Sequence, residues 1–181
     1  MAKGIILYQS KYGATKKYAD WLAEETRFTC IETSKTNSNQ LALFDTVIFG
    51  GGIYASGIAG IPFLKKNISK LSGKKLAVFC VGASPYEEQA FHEIYNHNFK
   101  GSLEHISCFY CRGAWNEEQM SLKDRVLCKM LQKAIAKKDP SEYEPWMTAL
   151  TEAIGKKCDW TNKIYLEPLI AYIKNRKYPA V

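Results

Sequence analysis

The chain has 181 residues, 46% of them hydrophobic, which suits one globular domain with a sizeable buried core. No apolar run approaches the about 18 residues of a spanning helix, and the opening MAKGIILYQSKYG turns polar too early for a signal peptide, so the cytoplasm is the expected address. Lys and Arg outnumber Asp and Glu by 25 to 18, a net +7 that favours anionic partners or simply solubility; no nucleic-acid motif is present, and nucleic acid is not an expected partner.

In chain order, apolar β-rich runs fall at residues 4–8, 28–33, 46–49, 76–81 and 105–111. Helical spacing lies between them: Thr15, Tyr18, Ala19, Leu22 and Thr26 share one face, and Phe63, Leu64, Ile68 and Leu71 share another. The runs VIF and LAVFCV are apolar throughout rather than alternating, as in a parallel sheet covered on both faces. Strand–helix alternation therefore predicts a doubly wound α/β sandwich. Further on, Leu122, Val126, Leu127, Met130, Leu131, Ala134 and Ile135 make an apolar stripe on a helix over 122–138, with Lys123, Arg125, Lys129, Lys133 and Lys137 largely off it. The plainer reading packs that stripe on the body. The other lays the basic helix on an anionic membrane surface, or against an acidic substrate or partner. A loop over 139–145 and a short helix over 146–154, stopped by Gly155, follow. Asp159 is expected to cap a last helix that Pro168 kinks or delays.

In an open parallel sheet, ligands sit beyond the carboxyl ends of the strands, where the strand order reverses. Three loops fall there. QSKYGAT, after the first strand, offers the hydroxyls of Ser10 and Thr15, the charge of Lys11 and a tight turn at Gly13, all in front of the free amides of a helix start. That set suits one phosphate, or it is merely a helix cap. GGGIYASGIAG, after the third strand, is read as a glycine-rich loop leaving room for a flat ring, with Tyr54 to stack on it. A plain tight turn explains fewer of its glycines. VGASPYEEQ, after the fourth strand, either touches the ligand through Ser84 or uses Ser84 to cap the next helix; Tyr86 offers a second aromatic surface. One phosphate and one planar heterocycle at one sheet edge are the parts of FMN.

At these residues the chain resembles the flavodoxin family. Ser10-Lys11-Tyr12-Gly13-Ala14-Thr15 is similar to the family's phosphate loop, [ST]-x-T-G-x-T, with Tyr12 replacing the central threonine. The resemblance implies a three-layer α/β/α sandwich around a five-stranded parallel sheet of order 2-1-3-4-5. It further implies one domain over 1–181 with a helical insertion at 113–155, and noncovalent FMN. Ser10, Lys11, Gly13, Ala14 and Thr15 would then hold phosphate, with Tyr12 in the same cofactor-binding loop. The ring loops would take in Gly51, Gly52, Ile53, Tyr54 and Ala55 on one side and Gly82, Ala83 and Ser84 on the other. Within the family a peptide beside the flavin's N5 can turn on reduction, and the Gly51–Gly52 peptide is the expected site of that freedom.

CRGAW at 111–115, the basic amphipathic helix, and CDW at 158–160 resemble the menaquinone-dependent protoporphyrinogen oxidase branch, although the basic loop typical there after the fourth strand is replaced by the acidic ASPYEEQAFHE. That resemblance implies an FMN oxidoreductase with an anionic small-molecule substrate, a quinone or redox protein as partner, and peripheral contact with the inner face of a membrane. The alternatives are a flavodoxin carrying single electrons between proteins, and a flavodoxin-like interaction protein without cofactor. Other candidates carry less. Cys108 and Cys111 form a CxxC in a strand, where an offset of three sends the side chains to opposite faces, so these two are expected as core cysteines, and the six together mostly as reduced, buried residues. His92, His97 and His105 lack metal-ligand spacing, and Glu87-Glu88 suit the first turn of a helix rather than acid–base catalysis.

Overall fold

A computed structural model of the chain describes residues 3–174. The expected domain over 1–181 therefore extends beyond the described residues at both ends. The apolar runs form five parallel strands, β1 (Gly4–Gln9), β2 (Thr29–Glu32), β3 (Thr46–Tyr54), β4 (Lys75–Gly82) and β5 (Ser107–Arg112), in the order β2-β1-β3-β4-β5. Register runs through Cys30, Ile6, Ile48, Ala77 and Ser107 across the sheet. The order reverses at β1, which opens a crevice between the carboxyl ends of β1 and β3.

Successive residues of the apolar strands feed two cores. Ile5, Leu7, Val47, Phe49, Val78 and Cys80 pack with Leu64 of α2 (Ile61–Asn67), and Phe91 and Ile94 of α3 (Glu88–Asn98) pack against them. Ile6, Ile48, Ala77 and Phe79 pack with Tyr18, Ala19 and Leu22 of α1 (Ala14–Thr26) and with the segment before the last helix. The two CxxC cysteines separate as their spacing requires, Cys108 toward the first core and Cys111 within the second. Burial pushes both thiols up.

After β5 the chain leaves the sheet. A short strand β6 (Ala114–Asn116) pairs antiparallel with β7 (Lys157–Asp159), and this stem encloses α4 (Leu122–Ile135) and α5 (Pro145–Ala153). A 3-10 turn, Lys163–Leu166, then leads into α6 (Glu167–Lys174). Asp159 does not cap that helix, because it sits in β7 and accepts from Thr161 N at 3.0 Å. Asn162 caps the turn instead, accepting from Ile164 N, and Pro168 lies inside the first turn of α6, where a missing N–H costs little. Among the described residues no helix is long and apolar enough to cross a membrane.

Candidate functional site

The loop between β1 and α1 is folded by its own serine: Ser10 Oγ accepts from Gly13 N at 3.1 Å. Gly13 adopts φ 95°, ψ −28°, a left-handed conformation that costs an L side chain roughly 1–2 kcal/mol. A methyl group there would meet nothing within 4 Å, so the glycine answers a backbone need and not a shortage of space. Its carbonyl accepts from Lys17 N at 2.9 Å, closing the first turn. No side chain caps α1 and no acid lies in its first turn, so its leading amides have no side-chain partner and no carboxylate of that turn meets the positive end of the helix dipole. Thr15, directly behind them, is 2% exposed.

The rim of this loop is tied to the excursion. Lys11 Nζ and Tyr12 Oη both donate to Asp124 Oδ2 in the first turn of α4, and Tyr12 Oη accepts from Ser121 N at 3.1 Å. The Asp124 carboxylate holds the Lys11 ammonium above its ordinary range. Lys11, then Tyr12, hold the carboxyl below its own. Tyr12 and Tyr54 meet edge to face at 6.1 Å, and Lys11 Nζ stands 5.4 Å from the Tyr54 ring centre. Nothing in the sequence pairs residues this far apart, so Ser121 and Asp124 escaped it.

The glycine-rich segment departs from expectation. The strand does not stop at Phe49; β3 continues through the glycines to Tyr54. Gly51 pairs with Gln9 and with Cys80, Gly52 with Val81, and Gly52 O accepts from Ala59 N at 2.8 Å. Gly51 is thus paired on both edges and Gly52 on one, so the Gly51–Gly52 peptide lies within the strand ladder and not in the free loop that the resemblance implied. Nor do the glycines leave open room. A side chain at Gly50 would strike Phe79, one at Gly51 the Ala59 carbonyl and Ile58, and one at Gly60 Phe49. At Gly52 it would come within 2.7 Å of Tyr54 Oη, because Tyr54 folds back over that glycine.

The turn comes later, at Ala55 and Ser56, both left-handed with φ 47° and 65°. Two positive φ values at its centre give the tight hairpin twist that glycine or asparagine usually supplies. It is followed by a two-residue return strand, Gly57–Ile58, antiparallel to the end of β3. Asn98, from the end of α3, clamps the turn: Oδ1 accepts from Ile58 N at 2.8 Å and Nδ2 donates to Ser56 O at 2.7 Å. A lone asparagine at the end of a helix gave no sign of this role.

Across the crevice, Gly82 ends β4, and its carbonyl accepts from Gly113 N at 2.7 Å. The Ala83 carbonyl accepts from Arg112 Nε at 3.2 Å and the Ser84 carbonyl from Tyr110 Oη at 2.6 Å. Ser84 does not cap α3. Glu87 does, its two oxygens accepting from Gln89 N and Ala90 N, because a carboxylate satisfies two amides and meets the dipole as well. Tyr86, 56% exposed, packs with Phe91 and Tyr110 as an aromatic wall beside this loop. The three sequence-predicted segments therefore meet at one end of the sheet, with Ile53 pointing between them toward Gly82.

A family model described as a flavodoxin domain matches residues 5–143. The chain belongs to the flavodoxin-domain family. The match takes in all five parallel strands of this flavodoxin domain and ends after α4, so the returning stem strand and α6 lie beyond it. Among solved structures the domain is similar to a WrbA-like flavodoxin from Agrobacterium tumefaciens, at 19% identity over 69% of this chain and 88% of that one, with a TM-score of 0.46. It is also similar to oxidised Flavodoxin 1 from Bacillus cereus, at 15% identity over 85% and 100% of the two chains, TM-score 0.40. A third is a Lactobacillus acidophilus flavoprotein in complex with FMN, at 16% identity over 62% and 93%, TM-score 0.44. No curated protein matches the flavodoxin domain in sequence.

Proposed function

We propose that the chain binds FMN noncovalently at this corner and passes electrons from an anionic organic substrate to a quinone, as the protoporphyrinogen oxidase branch does. The observation that carries the reading is the uncapped start of α1 behind left-handed Gly13, at the point where the strand order reverses. Uncapped amides, the Ser10 hydroxyl and a helix dipole with no acid in its own first turn suit a phosphate monoester. Lys11 adds a cation at the rim, now shared with Asp124. A ring beside Gly52 requires Tyr54 to turn away from that glycine. The tyrosine side chain already stands at the solvent edge, 36% exposed.

When bound, FMN supplies the redox chemistry, and the protein supplies binding, orientation and electrostatics. Ser10 and the α1 amides hold its phosphate. Tyr54 and Tyr86 border the ring region, and the Asn98 clamp keeps the Ala55–Ser56 turn from relaxing. The test is an absorption spectrum of the purified protein followed by FMN titration. A yellow preparation, and roughly tenfold weaker binding in Gly13→Ala from the strain of a side chain in that conformation, are expected. A colourless protein with no FMN affinity overturns the reading. Quinone-supported oxidation of a porphyrinogen tests the enzyme assignment, and FMN binding without that turnover would leave the electron-carrier role in its place.

A further inference from the structure

Helix α4 is built inside out. The sequence pattern offers its apolar stripe to the body of the protein, yet Leu122 is 78% exposed, Met130 63%, Leu127 52%, Val126 49% and Leu131 42%. The helix docks through its other face. Arg125 Nε and Nη2 donate to the carbonyls of Glu117 and Glu118 at 3.1 and 3.0 Å, Gln132 Nε2 donates to Glu117 Oε1 at 3.2 Å, and Asp124 takes Lys11 and Tyr12. Only Ile135, near the end, is buried as an apolar residue. Polar anchors thus hold the helix to the body, while its large apolar side chains, from Leu122 to Leu131, face solvent along about 14 Å of helix.

We infer that this outward face of α4 docks on an anionic lipid bilayer. Charge decides the occupant. Lys123 stands at the start of the apolar patch, Lys129 on its flank, and Lys133, Lys137 and Lys138 at its far end. The one acid of the helix, Asp124, is turned inward and occupied. A second copy of the chain would bring its own lysines against these, with no carboxylate on the face to meet them. Anionic headgroups meet every one. The stems of the lysines lie beside the apolar side chains while their ammonium groups reach the headgroup layer, the arrangement of an interfacial helix.

The experiment is flotation of the full chain with vesicles of phosphatidylcholine alone, or of phosphatidylcholine and phosphatidylglycerol in equal parts, at low and high salt. Association with the mixed vesicles only, falling as salt rises, is expected. Substituting Lys129, Lys133 and Lys137 together by Gln lowers the partition coefficient on the order of a hundredfold, near fivefold for each charge. Leu127→Glu with Met130→Glu abolishes association. Circular dichroism checks that both variants stay folded, as solvent-facing substitutions should. A tryptophan placed at Met130 shifts its emission to the blue on the same vesicles if the face enters the interface. No association of the natural chain with mixed vesicles overturns the inference, as does association that the glutamate variant retains, or a dimer in sedimentation equilibrium that the glutamate variant dissolves. Flavin absorbance of the same preparations is read separately, so failure here and failure of the FMN reading are distinct results.

Discussion

Helices α1 and α4 have nearly the same kind of amphipathic pattern and opposite orientations. In α1 the apolar residues Tyr18, Ala19 and Leu22 are fully buried against the sheet. In α4 the apolar residues face out, and arginine, glutamine and aspartate make the contact. Periodicity establishes that a helix has two faces. What covers each face is decided by the surface it meets. The sheet offers α1 only side chains such as Ile6 and Ile48, whereas the turn at 117–120 offers α4 backbone carbonyls that need donors.

The sharpest way to break that comparison is Leu22→Ala, which should cost about 2–5 kcal/mol in urea unfolding, as deletion of a packed core side chain does. Tyr18→Phe comes next. Its hydroxyl donates to the Arg112 carbonyl at 2.6 Å and accepts from Asn162 N at 3.0 Å, tying α1 to β5 and to the last turn. Losing it leaves both partners short, for about 1–3 kcal/mol by the same measurement. Gly13→Ala should cost roughly 1–2 kcal/mol from conformation alone, with no loss of packing.

A smaller effect appears on acidification. The hydrogen bond from Thr161, and then Lys17, hold the Asp159 carboxyl down at about 2. A carboxyl lowered on folding adds stability above its ordinary value and loses it as the pH falls through the folded one. Stability should therefore decline between about pH 4 and pH 2, and Asp159→Asn should remove that part of the slope. The group is largely solvated, so no more than about 1 kcal/mol is at stake. Leu127→Ala closes the series: within about 0.5 kcal/mol of the natural chain in urea, it would set α4 apart from α1. A cost near that of Leu22→Ala would erase the distinction.

Much of the sheet was legible because unbroken apolar runs such as VIF and LAVFCV suit only strands covered on both faces. The phosphate loop was legible for a local reason too, since serine, glycine and a helix start act within a few residues of one another. The glycine run misled because glycine marks either a turn or a close approach, and here the approach comes from Phe79, Ala59, Tyr54 and Phe49, which only the folded chain brings near. The caps failed by competition. Glu87 satisfies two amides where Ser84 would meet one, and Asp159 was already committed to a strand and a lysine. Asp124 and Asn98 bind partners distant in sequence, and no local pattern announces such residues.

The hairpin of β6 and β7 brings the two ends of the excursion together within the width of one strand pair, and Gly113 O accepts from Trp160 N at 3.0 Å just below it. To the sheet, everything between is a closed bracket. Chain can be added or trimmed beyond that seam without altering the distance β5 and the final helix must span, so this fold can acquire a new accessory surface while its nucleotide corner keeps its shape.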